Sequence, residues 1–264
     1  MQTVRIGHVE IGEGRPCIIV PLTSSSLDGL MDEAMALADL PAELAEWRID
    51  LLEGAVKETP EGPMPDLPYI LQVLAGLRTV LPVALLATFR TVEEGGSCPV
   101  SDAGYEALCR ALCDSRNIAL LDVEAFHRSG RAAALIAYAH EHRIPVVASW
   151  HDFHATPDKD EIVGRLRFMQ DELNADILKA AVMPQSRADV LTLLSATEEM
   201  TAHFADRPVI TMSMGPLGVI SRVSGQSFGS AATFGSAGHA SAPGQLDVEA
   251  LDTVLSILDE AVSD

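Results

Sequence analysis

Eight short apolar runs, each followed by a stretch of helical character, recur along this chain and constrain its fold more than any other feature. Strands are predicted near 16–22 (PCIIVPL), 46–52 (EWRIDLL), 83–89 (VALLATF), 118–124 (IALLDVE), 144–150 (IPVVASW), 176–182 (DILKAAV), 208–214 (PVITMSM) and, with the weakest pattern, 229–234 (GSAATF). Helical segments are predicted near 27–39, 67–80, 101–115, 128–142, 158–173, 186–203, 216–223 and 247–262. In the fifth of these Ile162, Leu166, Met169 and Leu173 fall on one stripe, as an amphipathic helix requires. Strands that are apolar throughout and regularly followed by helices predict a parallel sheet covered on its outer face. Eight such units predict an α/β fold, a closed (β/α)8 TIM barrel. The opening stretch from Val4 to Ile11, with Gly12 and Gly14 after it, has apolar residues at period two and is read as a β-hairpin closing the bottom of the barrel. One domain spanning residues 1–264 is expected, because no linker, no repeat beyond the βα unit and no low-complexity tract interrupts the pattern. Residues 224–244, rich in Gly, Ser and Ala, are read as a mobile loop.

Composition narrows the function. A formal charge of −20 and a pI near 4.6 argue against a general role on nucleic acid or an anionic membrane, since either needs a basic face. Cys17, Cys98, Cys109 and Cys113 form no metal-type CxxC pair and are read as small residues in a reducing compartment. With no basic-then-apolar leader and no apolar run of about 18 residues or more, a soluble cytoplasmic protein is expected.

In a barrel of this kind chemistry gathers at the C-terminal ends of the strands. Lys179 lies inside the sixth predicted strand, whereas Lys57 and Lys159 lie in polar stretches. An amine among apolar neighbours loses hydration, its pKa falls, and the neutral form can attack a carbonyl; an ordinary lysine snorkelling from a strand end is the plain alternative. Glu46, Arg48 and Asp50 alternate on the second strand and so share a face, either as a functional cluster or as an internal ion-pair network. The third strand ends in Thr88, Phe89 and Arg90 before a loop containing Glu93, Glu94, Gly95 and Gly96, a pattern that ordinarily marks a surface turn. Asp122 and Glu124 end the fourth strand, and Ser149 to His154 end the fifth, where His151 is either functional or a structural histidine beside Asp152. With no thiolates near, His151 and His154 make a poor zinc site. Met212 and Met214 are read as core, and Arg222, beyond a Gly-containing turn, suits bidentate clamping of a carboxylate as well as an ordinary surface position.

Taken together, EWRID (46–50), TFRTVEEGG (88–96), SWHDF (149–153), LKAAVMP (178–184), MSMGPLGVISR (212–222) and TFGSAGHASAPGQL (233–246) resemble the type I 3-dehydroquinate dehydratase family, in order, in spacing and over nearly the whole chain. The resemblance implies a Schiff-base lyase of the shikimate pathway, in aromatic amino acid biosynthesis, that converts 3-dehydroquinate to 3-dehydroshikimate. It implies that Lys179 forms the imine, that His151 removes and returns the proton, and that Glu94 pairs with His151. By the same comparison Glu46, Arg48 and Arg90 hold substrate hydroxyls and Arg222 the carboxylate. Ser241 and Gln245 lie on a segment that closes over the ligand, with Phe234 packed at its base. No metal and no organic cofactor is implied, and a homodimer is. Pro21 stands where some relatives carry a serine and is given no binding role; His239 matches no catalytic position and is read as solvated. A class I Schiff-base aldolase and a non-catalytic ligand-binding relative are the alternatives. The former would also need a strand-six lysine, but the SWHDF histidine and the SAPGQ segment favour dehydration of a cyclic keto acid; the latter should have lost Lys179 or His151, and both are present.

Overall fold

The computed structural model describes residues 2–60, 62–238 and 241–263, so the expectation for His239 lies outside the described residues. Eight parallel strands form the barrel: β1 Cys17–Leu22, β2 Leu44–Arg48, β3 Ala84–Thr88, β4 Leu120–Glu124, β5 Val146–Asp152, β6 Ile177–Val182, β7 Val209–Ser213 and β8 Ala232–Ser236. Each pairs with the next from β1 to β7, and β8 pairs with β1 through Ala232–Cys17 to Phe234–Ile19. The ring closes between β7 and β8 through a parallel bridge from Val209 to Ser230, where the Ala231 N–H donates to the Val209 carbonyl at 2.7 Å. The main helices on the outside are α1 Leu27–Ala36, α2 Leu67–Val80, α3 Asp102–Ser115, α4 Ala132–Glu141, α5 Lys159–Asp171, α6 Arg187–His203, α7 Val219–Val223 and α8 Val248–Ser263. Side-chain caps fix several of their starts: Ser26, Ser101, Asp158 and Ser186 each accept a backbone N–H from the first turn, satisfying donors that the helix leaves free.

Period-two geometry divides each strand between two cores. Outward residues such as Ile18, Ala45, Trp47, Leu85, Val123, Ala148 and Leu178 pack against the helices. Inward residues Cys17, Ile19, Leu44, Leu86, Leu120, Val147, Ile177 and Ile210 form a second core together with Ile6, Val9 and Ile11. Those last three belong to the antiparallel hairpin Val4–Ile6 and Val9–Ile11, which therefore plugs the end of the barrel where the strands begin, as the sequence predicts.

Local departures have local causes. The second strand starts two residues earlier than its apolar run and stops at Arg48, because Ile49–Leu51 turn as a 3₁₀ segment. A small hairpin of Val56–Thr59 and Gly62–Pro65 carries little apolar pattern and is not foreseen. Within 224–238 the chain is more ordered than its composition suggests: it contains a short helical segment, Gly225–Phe228, and all of β8. A two-residue strand, Leu246–Asp247, then pairs with Gly235–Ser236. Among the described residues no helix is long and apolar enough to cross a membrane.

Candidate active site

The inward positions change character toward the C-terminal end of the barrel. Two residues beyond the apolar layer stand Glu46, Thr88, Asp122, Ser149 and Lys179, and further along come Arg48, Arg90, Glu124 and His151. Glu46, Arg48, Arg90, Glu94, His151, Lys179, Phe234, Ser241 and Gln245 all line one cavity. Of the residues to which the resemblance assigns a site role, Arg222 alone is off its wall.

Lys179 is 4% exposed. Its Nζ lies 3.7 Å from Glu46 Oε1 and 4.4 Å from the centre of the Phe234 ring, while Glu46 Oε1 also accepts the Thr88 hydroxyl at 3.0 Å. Burial lowers the amine's pKa; the Glu46 and Asp122 carboxylates oppose this, and the nearby Arg90 and Arg48 guanidiniums add to it. The apolar strand around Lys179 thus supplies the desolvation that makes a neutral amine accessible.

His151 lies near the end of β5, where its register partner on β6 is Ala181. Its Nδ1 is 2.8 Å from Glu94 Oε2, and its backbone N–H donates to the same oxygen at 3.1 Å. With Nδ1–H as the donor, Nε2 keeps its lone pair. Burial, then the positive charges of Arg90, Lys179 and Arg48, hold the imidazole well below its ordinary pKa. Burial also pushes the Glu94 carboxyl well up, against the pull of Arg90.

The loop that brings Glu94 inward depends on two glycines for different reasons. Gly95 has φ +86°, and a Cβ there would sit 2.3 Å from the Phe153 ring; a Cβ on Gly96 would lie 1.8 Å from the Arg90 carbonyl oxygen. Glu93 meanwhile points out and pairs with Arg128. The segment is a surface turn at one residue and a site loop at the next.

Arg90 organises the upper barrel. Its Nη1 donates to Glu124 at 3.1 Å and to Ser149 Oγ at 2.9 Å, and its Nη2 to Asp122 at 2.9 Å. Burial alone would lower its pKa, but the carboxylates of Asp122, Glu124, Glu94 and Glu46 raise it overall. Glu124 also accepts the Thr91 N–H and hydroxyl, and Asp50 holds Arg48 bidentately at 2.9 Å while accepting the N–H groups of Arg90 and Ser97. The alternating charges of the second strand are thus an ion-pair network and part of the cavity at once.

Arg222 is buried behind Met212. Its Nη2 donates to the Pro243 carbonyl at 2.9 Å, Nη1 lies 3.8 Å from Met212 Sδ, and among the described residues Nε has no hydrogen-bond partner. Burial lowers its pKa to about 10. Pro243 belongs to the segment over the cavity, which is docked by the Gly215 N–H on the same carbonyl at 3.0 Å and braced within itself by Gln245 Nε2, which donates to Ser241 Oγ at 2.8 Å. Gly244 permits this approach, since a Cβ there would stand 2.4 Å from the Gly215 carbonyl.

Gly95, Phe153, Ala181, Met212, Met214 and Ala242 complete the wall. The two methionines read from the sequence as core are both core and wall, being inward residues at the end of β7. Phe153 gave a signal in its place after His151, to which its ring lies roughly parallel at 6.4 Å. Among the described residues no group of three or more His, Cys, Asp or Glu side chains could hold a metal ion.

Residues 18–261 match the family described as type I 3-dehydroquinase. The chain is 46% identical over 262 residues to the 3-dehydroquinate dehydratase of Salmonella paratyphi B, covering 99% of this chain and 100% of that one. The solved type I 3-dehydroquinate dehydratase of Clostridium difficile, with covalent modified comenic acid, shares 42% identity at a TM-score of 0.91 over 98% of this chain and 99% of its own. The enzyme from Geobacillus kaustophilus shares 35% at a TM-score of 0.90 over 98% and 97%.

Proposed function

The chain belongs to the type I 3-dehydroquinase family, and on that premise we propose that Lys179, His151 and Glu94 carry its reaction, the Schiff-base dehydration of 3-dehydroquinate to 3-dehydroshikimate. The observation that carries the assignment is the buried Lys179 amine, its pKa lowered by burial, in the same cavity as the His151–Glu94 pair.

The neutral amine adds to the substrate ketone and, with loss of water, forms an imine. Protonated, the imine accepts the electron pair of the adjacent C–H bond, so that carbon becomes acidic. His151 Nε2 takes the proton, Glu94 holds the resulting imidazolium in place, and the proton then goes to the departing hydroxyl, which leaves as water. Hydrolysis of the product imine restores the amine. An imidazole held neutral by its surroundings is ready to act first as base, and such acid–base assistance is typically worth roughly 10²–10⁴-fold.

Glu46 and Arg48 meet substrate hydroxyls from the cavity wall, and Arg90, held by Asp122, Glu124 and Ser149, presents its charged edge to the same cavity. Arg222 is read as the carboxylate site: among the described residues its guanidinium has only a carbonyl and a thioether for partners, so a buried cation awaits a negative charge. Its bond to Pro243 links that site to the covering segment, with Ser241 and Gln245 above and the Phe234 ring below. Closure there keeps bulk water from the imine. No metal or organic cofactor takes part in this scheme. The partner of the chain is a small molecule, and a homodimer is part of the same proposal. Light scattering should give twice 28.1 kDa, and a monomer at working concentration would remove it.

The reaction is tested by adding 3-dehydroquinate to the purified protein and following the absorbance of the conjugated enone, with Lys179→Ala as control. Absorbance rising for both proteins would eliminate the lysine mechanism. A class I aldolase would instead trap other keto acids on Lys179 under borohydride and leave this substrate unchanged.

A further inference from the structure

Asp122 is a buried charge of the barrel interior to which the reaction as described assigns nothing. It stands on β4 between inward-facing Leu120 and Glu124 and is 1% exposed. Oδ1 accepts from Arg90 Nη2 at 2.9 Å and from Ser149 Oγ at 2.8 Å, so the group is fixed from two sides. Oδ2 is buried and, among the described residues, has no hydrogen-bond partner, which is costly unless a nearby positive charge compensates. Ser149 is the register partner of Lys179 on the neighbouring strand, so the Ser149–Asp122 bond brings the carboxylate toward Lys179 from the β5 side, while Glu46 approaches from β2. After Glu46, Asp122 is the charge that most opposes the effect of burial on the amine.

Lys179 is faced by Glu46 and Arg48 of β2, Arg90 at the end of β3, Asp122 of β4, His151 of β5 and the Phe234 ring of β8. Its register neighbour on β7 is the apolar Ile210. Asp122 is faced in turn by Arg90 and Ser149, and its charge is felt at Glu94, Tyr105 and Cys109. Glu46 already accepts the Thr88 hydroxyl and lines the cavity, where substrate hydroxyls compete for it. Asp122 does not line the cavity and has no such duty.

We propose that Asp122 is a positioning residue for the covalent step: fixed by Arg90 and Ser149, it is the permanent counter-charge, acting through space, for the cation on Lys179, first as ammonium and then as protonated imine. The proposal rests on the Schiff-base reading above. Its physical content lies in the electron sink. When His151 removes the proton, the C–H pair flows into the iminium and leaves a neutral enamine; expulsion of the hydroxyl, protonated by His151 to water, regenerates the iminium. A buried iminium that lost its N–H proton would no longer draw electrons, and a fixed carboxylate that binds no substrate keeps that proton on the nitrogen.

Asp122→Asn tests this, since it keeps an oxygen for Arg90 and Ser149 and removes the charge. Imine formation with 3-dehydroquinate is read by borohydride trapping and protein mass across about pH 5 to 9, beside steady-state kinetics. Without the carboxylate the amine loses its proton more readily, so the acid limb of trapping should move down by about one pH unit. At neutral pH kcat should fall roughly 10- to 100-fold with KM little changed. An unmoved acid limb, or a raised KM with kcat intact, overturns the role of Asp122 and leaves the Schiff-base reading standing. A wild-type protein that traps no adduct overturns that reading and, with it, this one. If Asp122→Asn does not fold by circular dichroism, Ser149→Ala keeps every charge and removes one bond fixing Asp122. It should lower kcat about three- to tenfold at constant KM, and unchanged kcat overturns the proposal.

Discussion

Along the same strands, the lower and upper halves of the barrel interior are built from opposite chemistry. Leu44, Leu86, Leu120, Val147 and Ile177 pack with the hairpin residues Ile6, Val9 and Ile11; two positions further on, the same inward faces carry Glu46, Thr88, Asp122, Ser149 and Lys179. The lower half is stable one residue at a time, because each apolar group needs only contact. In the upper half every charge depends on another, since a buried ion that loses its partner is left uncompensated. The upper half is also lopsided: β2 to β6 bring the charges, whereas β7 and β8 bring Met212, Met214 and Phe234. A polar ring held against an apolar wall suits a hydroxylated cyclic substrate presented edge-on to one amine.

The sharpest way to break this division is at Lys179. Lys179→Ala should lower turnover by ~10³-fold or more and abolish the borohydride-trapped adduct, because among the described residues no other amine lines the cavity. Its circular dichroism should match the wild type, as Glu46 keeps the Thr88 hydroxyl. Near-normal turnover would place the chemistry elsewhere. His151→Ala should come next, with kcat down roughly 10²–10⁴-fold. Because imine formation has its own nucleophile, this variant should accumulate trapped adduct, and ordinary turnover without accumulation would deny the histidine its role.

The lower half should answer in the opposite currency. Leu120→Ala leaves a gap in a close-packed layer and should cost about 2–5 kcal/mol in denaturant unfolding, with kcat changed less than about twofold. A large loss of activity in a protein of undiminished stability would mean that the two halves are coupled in a way their chemistry does not suggest.

A gentler probe uses pH. Lys179 and His151 both have lowered pKa values, so their working neutral forms are present above those values and are lost as pH falls through them. The pH profile of kcat/KM should therefore fall on its acid side. Arg48 helps to lower both groups, so Arg48→Gln should move that limb upward by a few tenths to about one pH unit. A limb that moved down would show that Arg48 acts on some other group.

Much of this arrangement is visible in the sequence because an ammonium inside an apolar run is conspicuous, as is a histidine where a barrel strand ends. The eight βα units are legible for a similar reason, since burial on both faces leaves little room for polar residues. What the sequence hides is partnership. Arg90 meets Asp122 and Glu124 from positions 32 and 34 residues away, and no local pattern pairs them. The position of Arg222 behind Met212 is hidden as well, being set by how the turn after β7 folds back under Pro243. The hairpin at 56–65 escapes because its pairing rests on backbone hydrogen bonds rather than on an apolar face.

The smallest expected effect lies in the loop where neighbouring carboxylates have opposite surroundings. The Glu93 side chain is 48% exposed and pairs with Arg128 on the surface; the Glu94 side chain is 10% exposed and lies between His151 and Arg90. A surface pair of this kind is worth at most about 1 kcal/mol, and none of that reaches the cavity. Glu93→Gln should therefore leave kcat and KM within about twofold of wild type and lower stability by less than about 1 kcal/mol. Glu94→Gln, which removes the carboxylate proposed to steady the imidazolium, should not be so mild. If steady-state kinetics found the two variants equally impaired, the loop as a whole would be what activity senses. The inward turn at Gly95 and Gly96 would then matter for its shape and not for the single carboxylate it delivers.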